Sequence, residues 1–163
     1  MSNEADFDLT EFTLMAMIRF SDLPLSPAPF TPGRRIIISK GSEFGNYSFE
    51  LLRWGGASYG NLGFSFQVAA GNYTSSEFSC NLFLGTWYHV AVTYFAGGVE
   101  FFVNGEPCDL FDGAPAPVLN DEPVLIGAAP DLPADERFSG KIDEVRIYSQ
   151  ALEQTTLDAL SPL

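Results

Sequence analysis

The chain has 163 residues, 46% of them hydrophobic and 14% aromatic, enough for one domain spanning 1–163 with a sizeable core. Twenty-one acidic side chains stand against eight basic ones, and the formal net charge of −13 argues against nucleic acid and anionic membrane surfaces as partners. The excess suits a cation-binding or simply very soluble protein.

The opening Met1-Ser2-Asn3-Glu4-Ala5-Asp6 has neither the basic nor the apolar region of a secretory signal, and no run reaches membrane-spanning length. The expectation is a chain trimmed from a larger protein, or one made and kept without export. Phe12, Leu14, Ala16, Ile18 and Phe20 then alternate without a break, which reads as a half-buried strand with Thr13 and Arg19 facing outward. Between Leu23 and Gly33, Pro24, Pro27, Pro29 and Pro32 exclude ladder pairing, so this stretch is an exposed excursion of a length that suits a lid or contact surface. Arg34 to Lys40 supplies a strand stopped by Gly41-Ser42, and Tyr47 to Trp54 supplies the next. The glycine-rich loop Gly55 to Asn61 has no following helix and no Gly-Lys-Ser/Thr, so it connects a hairpin rather than cradling a phosphate. "NLGFSFQVAA" and "SSEFSCNLFL" complete the middle strands around Gly71-Asn72-Tyr73-Thr74, whose last three residues also fit a glycosylation acceptor.

Gly85 to Gly105 organises the chain as an antiparallel meander with strands near 87–95, 99–103 and 106–111. Asn104-Gly105 is the dipeptide that most readily takes positive φ at both centres of a type I′ turn. Val90, Val92 and Tyr94 point one way, while Trp87, His89, Ala91 and Thr93 point the other; both faces are mainly apolar, which predicts a central strand. After Cys108 the chain turns acidic and proline-rich, "PVLIGA" is a short strand and "GKIDEVRIY" the last strong one. There, Ile142, Val145 and Ile147 cannot all face inward unless a bulge falls at Asp143-Glu144. Ser149 to Leu160 shows the one helical spacing, with Leu152, Leu157 and Leu160 apolar. The sum is an all-β protein of about ten to thirteen short antiparallel strands in a two-sheet sandwich or jelly roll, closed by a short C-terminal helix.

Few residues carry chemistry. His89 has no nucleophile partner by spacing and reads as a structural histidine, with Trp87 beside it in the core. Trp54, Tyr59 and Tyr73 lie beside turns and can offer their faces to the C–H side of a sugar, with Asn61, Asn72 and Gln67 supplying hydrogen bonds. Cys80 and Cys108 are too few for a disulfide scaffold, though they can bridge if their strands are neighbours.

"GTWYHVAVTY…GGVEFFVNGEP", "FSGKIDEVRIYSQAL" and "DFDLTEFTLMAMIRF" together resemble the laminin-G-like members of the concanavalin A-like lectin/glucanase superfamily, and more distantly pentraxins. That fold hosts lectins, adhesion modules and glycosidases, so the resemblance implies architecture more than activity. Glycosidases of the superfamily use paired carboxylates about 5–5.5 Å apart, usually in ExDxE or ExDxxE, and neither motif occurs here, so no enzyme is expected. The resemblance implies a structural Ca²⁺ held by Asp143, with backbone carbonyls of Lys40 or Gly41 and with Asp6 or Asp8. A second ion at Asp131, Asp135 and Glu136 is the weaker reading, because Ala128-Ala129-Pro130 departs from the pentraxin cluster. The pentraxin bridge does not carry over either, since Ala91 stands where its half-cystine falls. Two functions follow: a noncatalytic module binding carbohydrate or a protein or glycoprotein surface, extracellular or on a cell surface within a larger protein; or an assembly protein that self-associates, such as a decoration or fibre component of a virion.

Overall fold

A computed structural model describes residues 4–26, 32–41, 47–69, 72–114, 116–130 and 133–162, with 4, 5, 68, 69 and 72–79 described in their backbone only. Ten strands form two antiparallel sheets: β1 (Phe12–Phe20), β2 (Gly33–Lys40), β3 (Tyr47–Arg53), β4 (Gly60–Ala69), β5 (Asn72–Leu82), β6 (Tyr88–Phe95), β7 (Gly97–Val103), β8 (Glu106–Ala114), β9 (Val124–Ile126) and β10 (Gly140–Tyr148). The first sheet has the order β10-β1-β6-β7-β8 and the second β5-β4-β3-β2-β9. One helix, α1 (Gln154–Leu160), is shorter than the periodicity predicts because Ser149 to Glu153 runs irregularly toward it.

The alternating apolar residues meet between the sheets. Phe12 lies 5.0 Å from Tyr47 and 5.3 Å from Tyr94, and Phe66 lies 5.4 Å from Phe64 and 5.9 Å from Tyr94, ring centre to ring centre. Such aromatic pairs add about 0.5–1.5 kcal/mol each beyond the area they bury. Strand β6 is central as expected, with Val90, Val92 and Tyr94 in the inter-sheet core and His89, Ala91 and Thr93 buried on the other face. Asn104 and Gly105 both have positive φ, 54° and 84°, and Asn104 Oδ1 accepts the His89 N–H at 2.9 Å. The predicted bulge also forms: Glu144 has φ 47° and the β1–β10 register shifts between Met15 and Met17, which lets Ile142, Val145 and Ile147 all pack on the core.

The outer faces are less exposed than alternation suggests. Thr13, expected outside, is fully buried under the approach to α1: its hydroxyl donates to Gln150 O and accepts the Leu152 N–H, both at 2.9 Å. Leu152 and Leu157 cover Met15, Ala91 and Phe102. On the second sheet, the segment after β9 crosses β2, where Ala129 packs on Ile36, Ser39 Oγ donates to Ala128 O at 2.8 Å, and Arg34 pairs with Glu136 at 2.6 Å. Cys80 on β5 and Cys108 on β8 form a disulfide, Cα to Cα 5.6 Å, that ties the two sheets together.

Candidate functional site

One end of the sandwich gathers the connections after β1, β3 and β5 and the segment before β10. Chain geometry places the aromatic residues there. Trp54 opens the β3–β4 turn, which closes with the Ala57 N–H donating to Trp54 O at 3.1 Å. Arg53 braces it, with Nε donating to Ala57 O at 2.8 Å and a terminal nitrogen 3.4 Å from Pro24 O. Trp54 and Tyr59 are both half-exposed. The Tyr59 ring meets Phe83 edge-on at 6.3 Å, and Phe83 and Leu84, neighbours in one loop, are 52% and 47% exposed. The Phe83 N–H donates to Tyr88 Oη at 3.1 Å, the Gly85 N–H to Phe20 O at 3.0 Å and Arg19 Nε to Gly85 O at 2.7 Å, so strands on both sides fix this loop. Leu25, 73% exposed, stands in the excursion at the same end, whose residues 27–31 lie outside the described residues.

The sequence-derived site residues divide by position. Asn61 is the second residue of β4, near Tyr59, but it is buried across from Leu52 with Oδ1 unpartnered. Asn72 and Tyr73 begin β5 at the far end of β4, about 30 Å from Tyr59 at the usual strand rise, so they do not share a site with Trp54 and Tyr59; their side chains lie outside the described residues. Trp87, expected in the core, is half-exposed because it precedes β6 rather than sitting within it. Phe83 and Leu84 were missed because an apolar pair ending a strand pattern looks like core; only its place just before the turn Gly85-Thr86 hints otherwise.

The residues expected around calcium fall on different elements: Asp143 on β10, and Asp8 beside Lys40 of β2. Asp143 is exposed opposite Met17 on β1, with Oδ1 accepting the Glu144 N–H at 2.9 Å. Asp8 sits 2.9 Å from the fully buried Lys40 ammonium, which also donates to Asn120 O and Asn120 Oδ1. Lys40 thus stands beside Asp8 as a cation in its own right. The Gly41 N–H donates to Pro123 O at 3.1 Å, and Asp6 is exposed. Of the second set, Glu136 is engaged by Arg34, Asp135 is exposed and Asp131 lies outside the described residues. Among the described residues, no three of His, Cys, Asp and Glu gather closely enough to hold a metal ion.

Glu50 and His89 are buried groups whose titration is shifted. Glu50 is 2% exposed on the outer face of β3; burial pushes its carboxyl up to about 7, with Arg34 pulling the other way and Glu136 adding to the rise. The Ser48 and Ser65 hydroxyls beside it favour the ionised form. His89 is 1% exposed with neither ring nitrogen partnered, so it is buried as expected but not satisfied; burial, then Arg146, pushes its pKa down.

The family is decided by a sequence match over residues 1–157 to the laminin G model of the concanavalin A-like lectin/glucanases superfamily. The chain belongs to this superfamily. Adhesion G-protein coupled receptor V1 of Danio rerio is 27% identical over 141 residues, which is 83% of this chain but 2% of the receptor. A Bacteroides ovatus protein described as a candidate carbohydrate-binding protein is 27% identical, with a TM-score of 0.67 over 92% of this chain and 40% of that one. The CBM40 of Ruminococcus gnavus IT-sialidase, solved with α2,3-sialyllactose, shares the fold with a TM-score of 0.72 at 15% identity, covering 95% of this chain and 84% of that one. This laminin-G-like chain therefore spans only a small part of the receptor and under half of the Bacteroides protein.

Proposed function

We propose that this laminin-G-like chain is a noncatalytic recognition module that binds carbohydrate, free or on a glycoprotein, through the loop end bearing Trp54, Tyr59, Phe83 and Leu84. The observation that carries the reading is the pairing of half-exposed Tyr59 with exposed Phe83 on a rigidly braced end of the sandwich. Sugars present C–H faces that stack on such rings, and a scaffold that holds the rings fixed limits the entropy lost on binding. The carbohydrate-binding description of its Bacteroides relative supports the same reading.

Noncatalytic action is supported by the surroundings of Glu50, a carboxyl whose acidity burial tunes toward neutrality. Glu50 has a second carboxylate, Glu136, in its electrostatic neighbourhood, but at 2% exposure it is closed to a polysaccharide and Glu136 is held by Arg34. Binding is expected to proceed without calcium, because Asp8 already has a cation beside it. The bridge between Cys80 and Cys108 favours an oxidising, extracellular setting.

A glycan array with and without EDTA, run beside a measurement of oligomeric state, tests the proposal. Glycan binding that persists in EDTA and weakens about tenfold in Tyr59→Ala or Phe83→Ala, equivalent to about 1.4 kcal/mol, is the expected result. A stable symmetric oligomer blind to every glycan would favour assembly instead, and turnover of a bound polysaccharide would refute noncatalytic action.

A further inference from the structure

The loop of Phe83 and Leu84 borders a hollow of about 270 Å³ lined by Arg19, Phe20, Ser21, Gly85, Gly140 and Lys141. In the β1–β10 ladder Arg19 stands directly opposite Lys141. Like charges placed across a ladder repel and destabilise the sheet. The chain has 21 carboxylates for eight cations, and Arg34, Arg35, Lys40 and Arg146 each find one. Among the described residues Arg19 and Lys141 form no ion pair. Asp143, two positions along β10, keeps Oδ1 on the Glu144 N–H.

Local structure fixes this pair and leaves it open. Arg19 Nε donates to Gly85 O at 2.7 Å, which anchors the guanidinium to the aromatic loop and leaves its terminal N–H groups unspent. At Gly140 a Cβ would come within 2.2 Å of Arg19 O, so only glycine lets the two backbones meet here, and no side chain rises from that position. The Ser21 and Ser139 hydroxyls lie 3.5 Å apart beside it and offer further polar contacts.

We propose that Arg19 and Lys141 bind the anionic group of an acidic sugar, a carboxylate or a sulfate ester, while its ring lies toward Phe83 and Leu84. This rests on the carbohydrate-binding reading above and narrows it to a ligand class. A guanidinium fork matches two oxygens of either group, and the ammonium adds a point charge. The like-charge pairing, unfavourable in the free protein, is relieved when an anion enters between them. Since the remainder of the chain is strongly acidic, the attraction is local and weakens with salt.

Three tetrasaccharides separate the outcomes by calorimetry at low and at physiological salt: a galacturonan, a sulfated galactan and a neutral galactan. At least one acidic sugar is expected to bind tenfold or more tightly than the neutral one, with the two acidic arms distinguishing carboxylate from sulfate. In Arg19→Gln/Lys141→Gln that preference should disappear while the thermal midpoint changes little, because relief of the opposed charges offsets loss of the Arg19–Gly85 hydrogen bond. Equal binding of all three sugars, or an acidic preference that survives the double substitution, overturns the inference and leaves the glycan-binding reading standing. Failure to bind any glycan on a broad array defeats both.

Discussion

Glu50→Gln is expected to stabilise the protein above neutral pH while changing little near pH 5. The carboxyl is buried on β3, and burial, set against the attraction of Arg34, lifts it from its ordinary 4.5 to about 7. The unfolded chain therefore releases this proton near 4.5, whereas the folded chain keeps it to about 7. A raised carboxyl gives stability that is complete below the unfolded value and is lost as pH rises through that window. At 1.36 kcal/mol per pKa unit, the loss reaches about 3 kcal/mol above pH 7. Glutamine has the same shape, can still meet Ser48 and Ser65, and cannot ionise. Urea unfolding of both proteins at steps from pH 5 to 8, with the disulfide intact, gives a difference in which the other carboxylates cancel. That difference should start below about 1 kcal/mol and grow to about 3 kcal/mol. A difference that stays flat would show that Glu50 is charged in the folded state and would refute the reasoning.

Reducing the Cys80–Cys108 bridge opens a sequence separation of 28 residues, and the loop-entropy relation gives a loss of about 3–4 kcal/mol, read from urea unfolding with and without reductant. Lys40→Met removes the cation beside Asp8 and should cost about 3–5 kcal/mol, most of it recovered in Asp8→Asn/Lys40→Met. Full recovery by calcium instead would show that Asp8 readily serves a metal. His89 is buried neutral with its pKa depressed, so wild-type stability is complete above about 6.5 and falls as pH drops below it. His89→Leu should flatten that fall in thermal unfolding at pH 5, since it removes two unpartnered buried nitrogens.

Much of the fold was legible because strand parity is a local property. The Asp143–Glu144 bulge follows from three apolar residues at spacings of three and two, and the Asn104-Gly105 turn from its dipeptide, both without tertiary information. What lies on a strand's outer face is not local. Thr13 looked solvent-facing because nothing in β1 reveals that Leu152 and Leu157 return to cover it. The disulfide was undecidable for the same reason: Cys80 and Cys108 belong to different sheets, and their meeting depends on how the layers stack. The separation of Asn72 and Tyr73 from Trp54 and Tyr59 is readable in the sequence, since loops at the two ends of one strand, β4, must lie a strand's length apart.

The candidate site shows the limit most sharply. Arg19 and Lys141 are 122 positions apart and each, read alone, is an ordinary solvated cation. Only the β1–β10 register sets them face to face, and that register depends on the Asp143–Glu144 bulge. Were Glu144 kept without the bulge, Val145 and Ile147 would turn outward or Ile142 and Lys141 would exchange faces, and the basic pair would be lost along with the packing. A single backbone irregularity therefore serves two ends: it keeps β10 on the core and holds Lys141 across from Arg19. Deleting Glu144 removes the extra residue together with the bulge, restores plain alternation of Ile142, Val145 and Ile147 and leaves Lys141 across from Arg19, so a preference for acidic sugars should survive it. Arg19→Gln/Lys141→Gln should remove the preference, and that contrast ties it to the basic pair rather than to the bulge itself.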